Sequence, residues 1–340
     1  MMKTHLNRLL PLLLSIILSA CTTSPATPTA QPIELTDVSI QLSWIHEYSA
    51  APFHVAAREG FFTAQRINAT LIEGGFGEAG YIDPVQGVVD GTVDFGMSSG
   101  SNLIEAVNKG LPVIAVANIL QRSPLALMTL DPTLQTPQDF VGRTILVADG
   151  GARDALESLL ASQNIALDSV TILPRTDFGV DPLVKGDVDG LVAWRINEGV
   201  SLEEQGLAPI FFLMSDYGVE NYEFVLFTRS EMVENQPDVV QAVVDGMHLG
   251  SDFVIDNPAK AIEHTLSFAP DLEPESQLRR LEATIPLMNL DNVSSIGMQP
   301  EIWEFSYQLL LARQLVPADF DVTRVYTNQF ADDSNDLRGE

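Results

Sequence analysis

The spacing of hydrophobic and polar positions along this chain changes repeatedly, and each change marks an element. Val38-Ser39-Ile40-Gln41-Leu42 alternates apolar and polar residues as a half-buried strand does, whereas residues 51–65 place apolar side chains at helical intervals around Gly60 and Phe61-Phe62. Ala69-Thr70-Leu71-Ile72 predicts the next strand. Asp83-Pro84 opens a helix that stops at Gly91, and Val93-Asp94-Phe95-Gly96-Met97 reads as a short buried strand. A helix over 103–109, closed by Gly110, precedes a strand over 113–119. The pattern then repeats: strand 144–147, turn Asp149-Gly150-Gly151, helix 154–163, strand 170–173, a helix from Asp181-Pro182 to Gly186, and strand 188–192. Asp83-Pro84 leading to Gly91-Thr92-Val93-Asp94 is echoed by Asp181-Pro182 leading to Gly186-Asp187-Val188-Asp189, so two similar α/β halves are predicted. From Glu231 onward the stripes are helical, over 239–255, 258–267, 275–283 and 301–312. Apolar runs at 126–130 and 224–228 flank the second half, and the chain is expected to cross between lobes within them.

The first residues follow another pattern. Lys3 and Arg8 precede the apolar stretch 9–18, too short for a span of roughly 20 residues, and Leu18-Ser19-Ala20-Cys21 ends it. This predicts a signal peptide over 1–20 with a lipobox, a mature chain lipidated on Cys21, and a Thr/Pro-rich tether over 21–36. Lobe 1 is then expected over 37–127 plus 228–328, lobe 2 over 128–227, and a polar tail over 329–340.

Composition narrows the function. A 340-residue chain with 46% hydrophobic residues can build two cores, and a formal charge of -28 repels phosphate backbones, which argues against nucleic acid as a partner. Cys21 is the sole cysteine, leaving the globular region without a thiol nucleophile or disulfide. The histidines His5, His46, His54, His248 and His264 lack metal-ligand spacing, and no nucleophile elbow or phosphate loop occurs. Neither metal nor cofactor is expected, and a binding function is favoured over an enzyme.

In open α/β sheets ligands sit beyond the carboxyl ends of strands, where helix N-termini point outward. Four stretches fit: 43–49 with Trp44, Glu47 and Tyr48; 74–76 with Gly75; 98–102 with Ser98 and Ser99; and 149–151 with Gly150. Trp44 offers a stacking face. At the end of a buried strand, Trp194 and Glu198 add an aromatic surface and a carboxylate that could accept from a heterocycle, and Asn221-Tyr222 could close the pocket. Arg122 or Arg195 could instead serve a sulfonate.

Trp44 through Phe62, with Asp83-Pro84-Val85-Gln86, Val93–Met97, Gly110-Leu111-Pro112-Val113, Gln121-Arg122-Ser123-Pro124, Val188-Asp189-Gly190 and Trp194–Gly199, resembles the solute-binding proteins of the sulfonate, nitrate and thiamine-pyrimidine type. The resemblance implies a type II periplasmic-binding fold, two Rossmann-like lobes joined by a two-strand hinge. It also implies delivery of a captured solute to an ABC permease and ATPase by an exported, membrane-anchored, monomeric protein. It further implies roles for Trp44, Trp194 and Glu198 in holding a pyrimidine stacked on aromatic side chains, with a thiamine-pyrimidine precursor or riboflavin as ligand and alkyl sulfonates such as taurine as the alternative. Glu47-Tyr48-Ser49-Ala50-Ala51-Pro52 replaces the Asn-Thr-Asn-His-Thr-Gly run of typical pyrimidine binders. A pyrimidine-synthase-like enzyme, which would need a cysteine-rich iron motif and a cofactor-holding lysine, and a lipid-anchored sensor domain are the other readings.

Overall fold

The computed structural model describes residues 34–78, 80–288 and 296–334. The expected signal peptide, Cys21 and most of the tether lie outside the described residues. The described residues from Leu35 onward form one compact unit, with twelve strands among them. These are β1 Thr36–Gln41, β2 Ile67–Ile72, β3 Gly75–Gly77, β4 Gly80–Ile82, β5 Phe95–Ser98, β6 Val113–Asn118, β7 Leu125–Thr129, β8 Thr144–Val147, β9 Thr171–Pro174, β10 Gly190–Trp194, β11 Ile210–Leu213 and β12 Val225–Arg229.

The strands make two five-stranded sheets of matching design, ordered β2-β1-β5-β12-β6 and β9-β8-β10-β7-β11, plus the small hairpin β3–β4. In each large sheet the first three strands are parallel and the fourth is antiparallel to both neighbours. The antiparallel strands β7 and β12 are those by which the chain enters a lobe from the other one, so the inverted direction records the crossing. This is the type II periplasmic-binding fold. The repeat seen in the sequence has a physical content: Asp94, just before β5, takes the backbone N–H of Ser39 on β1 at 2.9 Å, and Asp189, just before β10, takes that of Thr144 on β8 at 2.8 Å. Equivalent carboxylates pin equivalent strand pairs.

Two expectations need correction. The runs at 126–130 and 224–228 do not carry the crossings, because β7 and β12 pair along their whole length inside their own sheets. A run apolar at every position belongs to a strand covered on both faces, and here Ala126 and Met128 pack on one side of the second sheet while Leu127 packs on the other. The crossings are the more polar stretches 119–124 and 220–224, Met214 and Val219 being still buried in the lobe 2 core. Second, residues 329–334 are not a polar tail: they form the helix Gln329–Ser334, and Phe330 and Ala331 are buried in lobe 1.

Long helices cover lobe 1, among them Pro237–Asp256, Pro274–Met288 and Pro300–Ala312. Contacts between lobes come from these and from the loop after β1. The Tyr48 hydroxyl donates to Asn197 Oδ1 at 2.8 Å, Arg280 donates to the Asn197 carbonyl at 2.9 Å and to Ser201 Oγ at 3.0 Å, and Arg313 meets Asp154 at 3.0 Å.

Candidate functional site

A cleft of about 270 Å³ opens between the lobes, at the carboxyl ends of β5, β8 and β10. That is just below the roughly 300–1,000 Å³ common for small-ligand pockets. Helix Gly100–Asn108 starts at its edge, with Ser99 as N-cap accepting from the Asn102 N–H. Opposite, helix Gly151–Ser162 starts after Gly150, whose φ of 94° is tolerated by glycine and strained for other residues. At the first start the N–H groups are partly spent, that of Gly100 on the Tyr222 carbonyl at 2.8 Å and that of Asn102 on Ser99. Trp194 ends β10 and lines the cleft; it is partly buried against the lobe 1 core and packs edge-to-face on Phe224 at 5.5 Å. The two crossings form the floor, and Leu309, Leu310 and Arg313 supply the remaining wall.

The walls are acidic. Glu105, Asp154, Glu220 and Glu223 line the cleft against a single cation, Arg313, which is already paired with Asp154. Burial pushes the Glu220 carboxyl up to about 7 despite its bond from the Ser123 N–H and the nearby Arg122. Burial likewise pushes Glu223 up to about 7, with Asn221 Nδ2 donating to it at 2.8 Å. Near neutrality both can therefore either donate or accept a hydrogen bond.

The expected residues separate into groups. Ser99 and Trp194 line the cleft, and Gly150 and Ser98 stand one position from lining residues; Ser98 is buried and accepts from Asn102 Nδ2 at 3.4 Å. Trp44 and Gly75 meet each other outside the cleft walls. The Trp44 ring lies 3.3 Å from where a Gly75 Cβ would stand and edge-on to Phe76, which in turn touches Tyr81. Glu47 and Tyr48 belong to the lobe contact: Tyr48 is fully buried, and burial pushes Glu47 up to about 7 against the pull of Ser49 and Arg280. Glu198 is committed to the protein, pairing with Arg175 at 2.9 Å and accepting the Trp194 N–H at 3.2 Å. Tyr222 is a correction. Its ring packs on Trp303 in the lobe 1 core and its hydroxyl accepts the Gln299 N–H, while its neighbour Asn221 takes the place on the cleft wall.

The arginines held open for an anion are also engaged. Arg122 bonds Ser215 and Asp216, and Arg195 grips Glu203 at 2.9 Å while lying over Phe211 at 4.1 Å. Sequence reasoning missed the acidic walls; the available signal was Glu220 and Glu223 flanking the buried Tyr222 and Phe224.

The titrations make a stability prediction. Glu47, Glu220 and Glu223 have folded values raised from 4.5 to about 7, so their ionisation removes stability as pH rises through that window. Burial holds His54 down to about 3 from 6.5, so its contribution is lost as pH falls through that range. Burial also raises Asp154 and lowers His46, so four carboxyls oppose two imidazoles. The ligand-free protein is thus expected to gain thermal stability from pH 8 down to about 5 and lose it below 4.5; melts showing a steady loss from 7 to 5 would contradict the buried-carboxyl assignment.

A family model described as NMT1/THI5 like matches residues 48–261. The chain belongs to that family. Among curated relatives it is 26% identical to the riboflavin-binding protein RibY of Chloroflexus aurantiacus, covering 94% of this chain and 96% of that one. It is 25% identical to the formylaminopyrimidine-binding protein of Halalkalibacterium halodurans, over 87% and 91%. It is 22% identical to the 4-amino-5-hydroxymethyl-2-methylpyrimidine phosphate synthase of Legionella pneumophila, over 87% and 93%. In fold it is similar to the periplasmic sulfonate-binding protein SsuA from Methylobacillus flagellatus KT, with a TM-score of 0.70 at 18% identity over 90% and 96%. The chain is a solute-binding protein of the periplasmic-binding fold.

Proposed function

We propose that this chain is the lipid-anchored receptor of an ABC importer, binding without turnover a small neutral or cationic heteroaromatic solute of the aminopyrimidine kind and passing it to the permease. The observation that carries this reading is the composition of the cleft. Its lining includes Trp194 and four carboxyl groups; Asp154 and Glu105 are paired with Arg313 and Lys109, which leaves Glu220 and Glu223 as the carboxyls without a cationic pair among the described residues. A cation or an N–H-rich ring gains from such walls, and an anion is repelled. The names of two relatives, a riboflavin binder and a formylaminopyrimidine binder, point the same way. Trp194 would stack on the ring, with Glu220 and Glu223 meeting its N–H groups. Alkyl sulfonate binding is the second reading, favoured by the helix N-terminus at Gly151 on the cleft wall.

A thermal-shift panel on the form beginning after Cys21, which holds the whole compact unit, discriminates them. A true ligand at about 100 times its Kd adds roughly 2.7 kcal/mol. The expected result is a raised midpoint with aminopyrimidines or riboflavin and none with taurine or longer alkyl sulfonates; a shift with sulfonates alone reverses the assignment. Ligand recovered chemically unchanged after long incubation supports binding over synthase activity. The anchor has its own control: Cys21→Ala should move the exported protein from the membrane fraction to the soluble one, and unchanged membrane retention would refute lipidation there.

A further inference from the structure

Gln121 lies in the first crossing, is 1% exposed, and among the described residues has a partner for neither end of its amide: both Nε2 and Oε1 are buried and unbonded. Asn118, three residues earlier, has an unpartnered Oδ1, its Nδ2 being spent on the Leu120 carbonyl. Buried amides without partners are costly, and folds that keep one either place water there or use it. The surroundings favour use. Two residues on, Ser123 lines the cleft, and its N–H donates to the carboxyl of Glu220 on the second crossing. The crossings run side by side here, since the Ile119 N–H reaches the Phe224 carbonyl, and the Phe224 ring carries Trp194. Gln121 is anchored through its backbone, its N–H donating to the Leu287 carbonyl at 2.7 Å. Gln121 thus stands buried on the hinge segment, two residues from the cleft wall at Ser123.

We infer that Gln121 is a specificity-determining residue that reads the polar edge of a planar heterocycle once hinge opening exposes the crossing. A primary amide sets one donor and one acceptor side by side. Its complement is a ring edge with an adjacent acceptor and donor, such as the ring nitrogen and exocyclic amino group of an aminopyrimidine or the N–H and C=O of an imide. A sulfonate has acceptors only and would leave Oε1 unmet. Asn118 Oδ1 offers one further acceptor for an N–H. The inference rests on the heteroaromatic reading of the cleft and adds the residue that would select the ring edge.

The experiment pairs stability with affinity in Gln121→Leu and Gln121→Met, using 4-amino-5-hydroxymethyl-2-methylpyrimidine and riboflavin as calorimetric probes. A residue kept for ligand is a burden to the empty protein. The expected result is a midpoint equal to or above wild type without probe, together with a tenfold to hundredfold loss of affinity for the probe that wild type binds. A lowered midpoint with affinity intact in both variants overturns the inference, because the amide then has a water or chain partner and serves the fold. If wild type binds neither probe, the heteroaromatic reading fails and the inference falls with it. Wild-type binding matched by both variants removes Gln121 alone. Two variants are used because leucine is branched where glutamine is not, and methionine preserves its unbranched shape.

Discussion

Glu198→Ala is expected to destabilise the ligand-free protein by about 3–5 kcal/mol, as breaking one side of a buried ion pair does. The pair with Arg175 is nearly enclosed, with 6% of the arginine side chain and 12% of the glutamate side chain exposed. The arginine has little else. Its Nη2 also reaches the Gly179 carbonyl at 3.4 Å, its Nε has no partner, and Phe178 lies 5.8 Å away. Removing the carboxylate strands a guanidinium that cannot lose its proton, and it also frees the Trp194 N–H from its acceptor. Replacing both partners, Arg175→Met with Glu198→Leu, should restore most of the loss, since the cost lies in the orphaned charge. Urea unfolding measures both. A loss under about 1 kcal/mol in the single variant would mean that the pair behaves as a solvated one. The consequence for function is direct: weaker binding by Glu198→Ala reports a disturbed β10 end first, and Glu198→Gln, which can still accept the Trp194 N–H, is the cleaner probe of ligand contact.

That pair also shows where the sequence stops being readable. Arg175 and Glu198 are 23 positions apart, and nothing in their spacing distinguishes a ligand-facing carboxylate from one consumed by a neighbouring loop. What the sequence does encode is periodic or local. β1, β8 and the long C-terminal helices follow from hydrophobic spacing, and the Asp-Pro starts and glycine stops bound the short helices. Ser99 and Trp194 were found because the ends of parallel strands are set by those elements. The hairpin β3–β4 escaped because its strands are three residues long, too short to display a period. Tyr222 misled because an aromatic residue beside a crossing has the same local signature whether its ring turns to a cleft or to Trp303. Glu220 and Glu223 were overlooked among 46 acidic side chains; only the fold shows which of these leave water.

Gly250→Ala should be among the most damaging single-methyl additions in lobe 1, at about 3 kcal/mol, the upper end of ordinary overpacking costs. Glycine inside a helix is inferior to alanine by about 1 kcal/mol, so its presence in Pro237–Asp256 calls for a reason. The reason is the approach of the helix Ala51–Arg58. A Cβ at Gly250 would stand 2.1 Å from the backbone oxygen of Pro52, and one at Gly246, a turn earlier, 2.4 Å from the buried ring of Phe62. The two sites should respond differently. At Gly246 the obstacle is a side chain, and Phe62→Leu should recover part of the loss; at Gly250 it is main chain, which moves only if the helices separate. The helix Ala51–Arg58 follows directly on the segment that carries Trp44, Glu47 and Tyr48, so the displacement should also reach the Tyr48–Asn197 contact between lobes. Gly250→Ala is therefore expected to lower the unfolding midpoint and loosen lobe closure together, the latter read as a larger radius of gyration in solution scattering. A destabilised variant with unchanged dimensions would show that the seam supports lobe 1 alone.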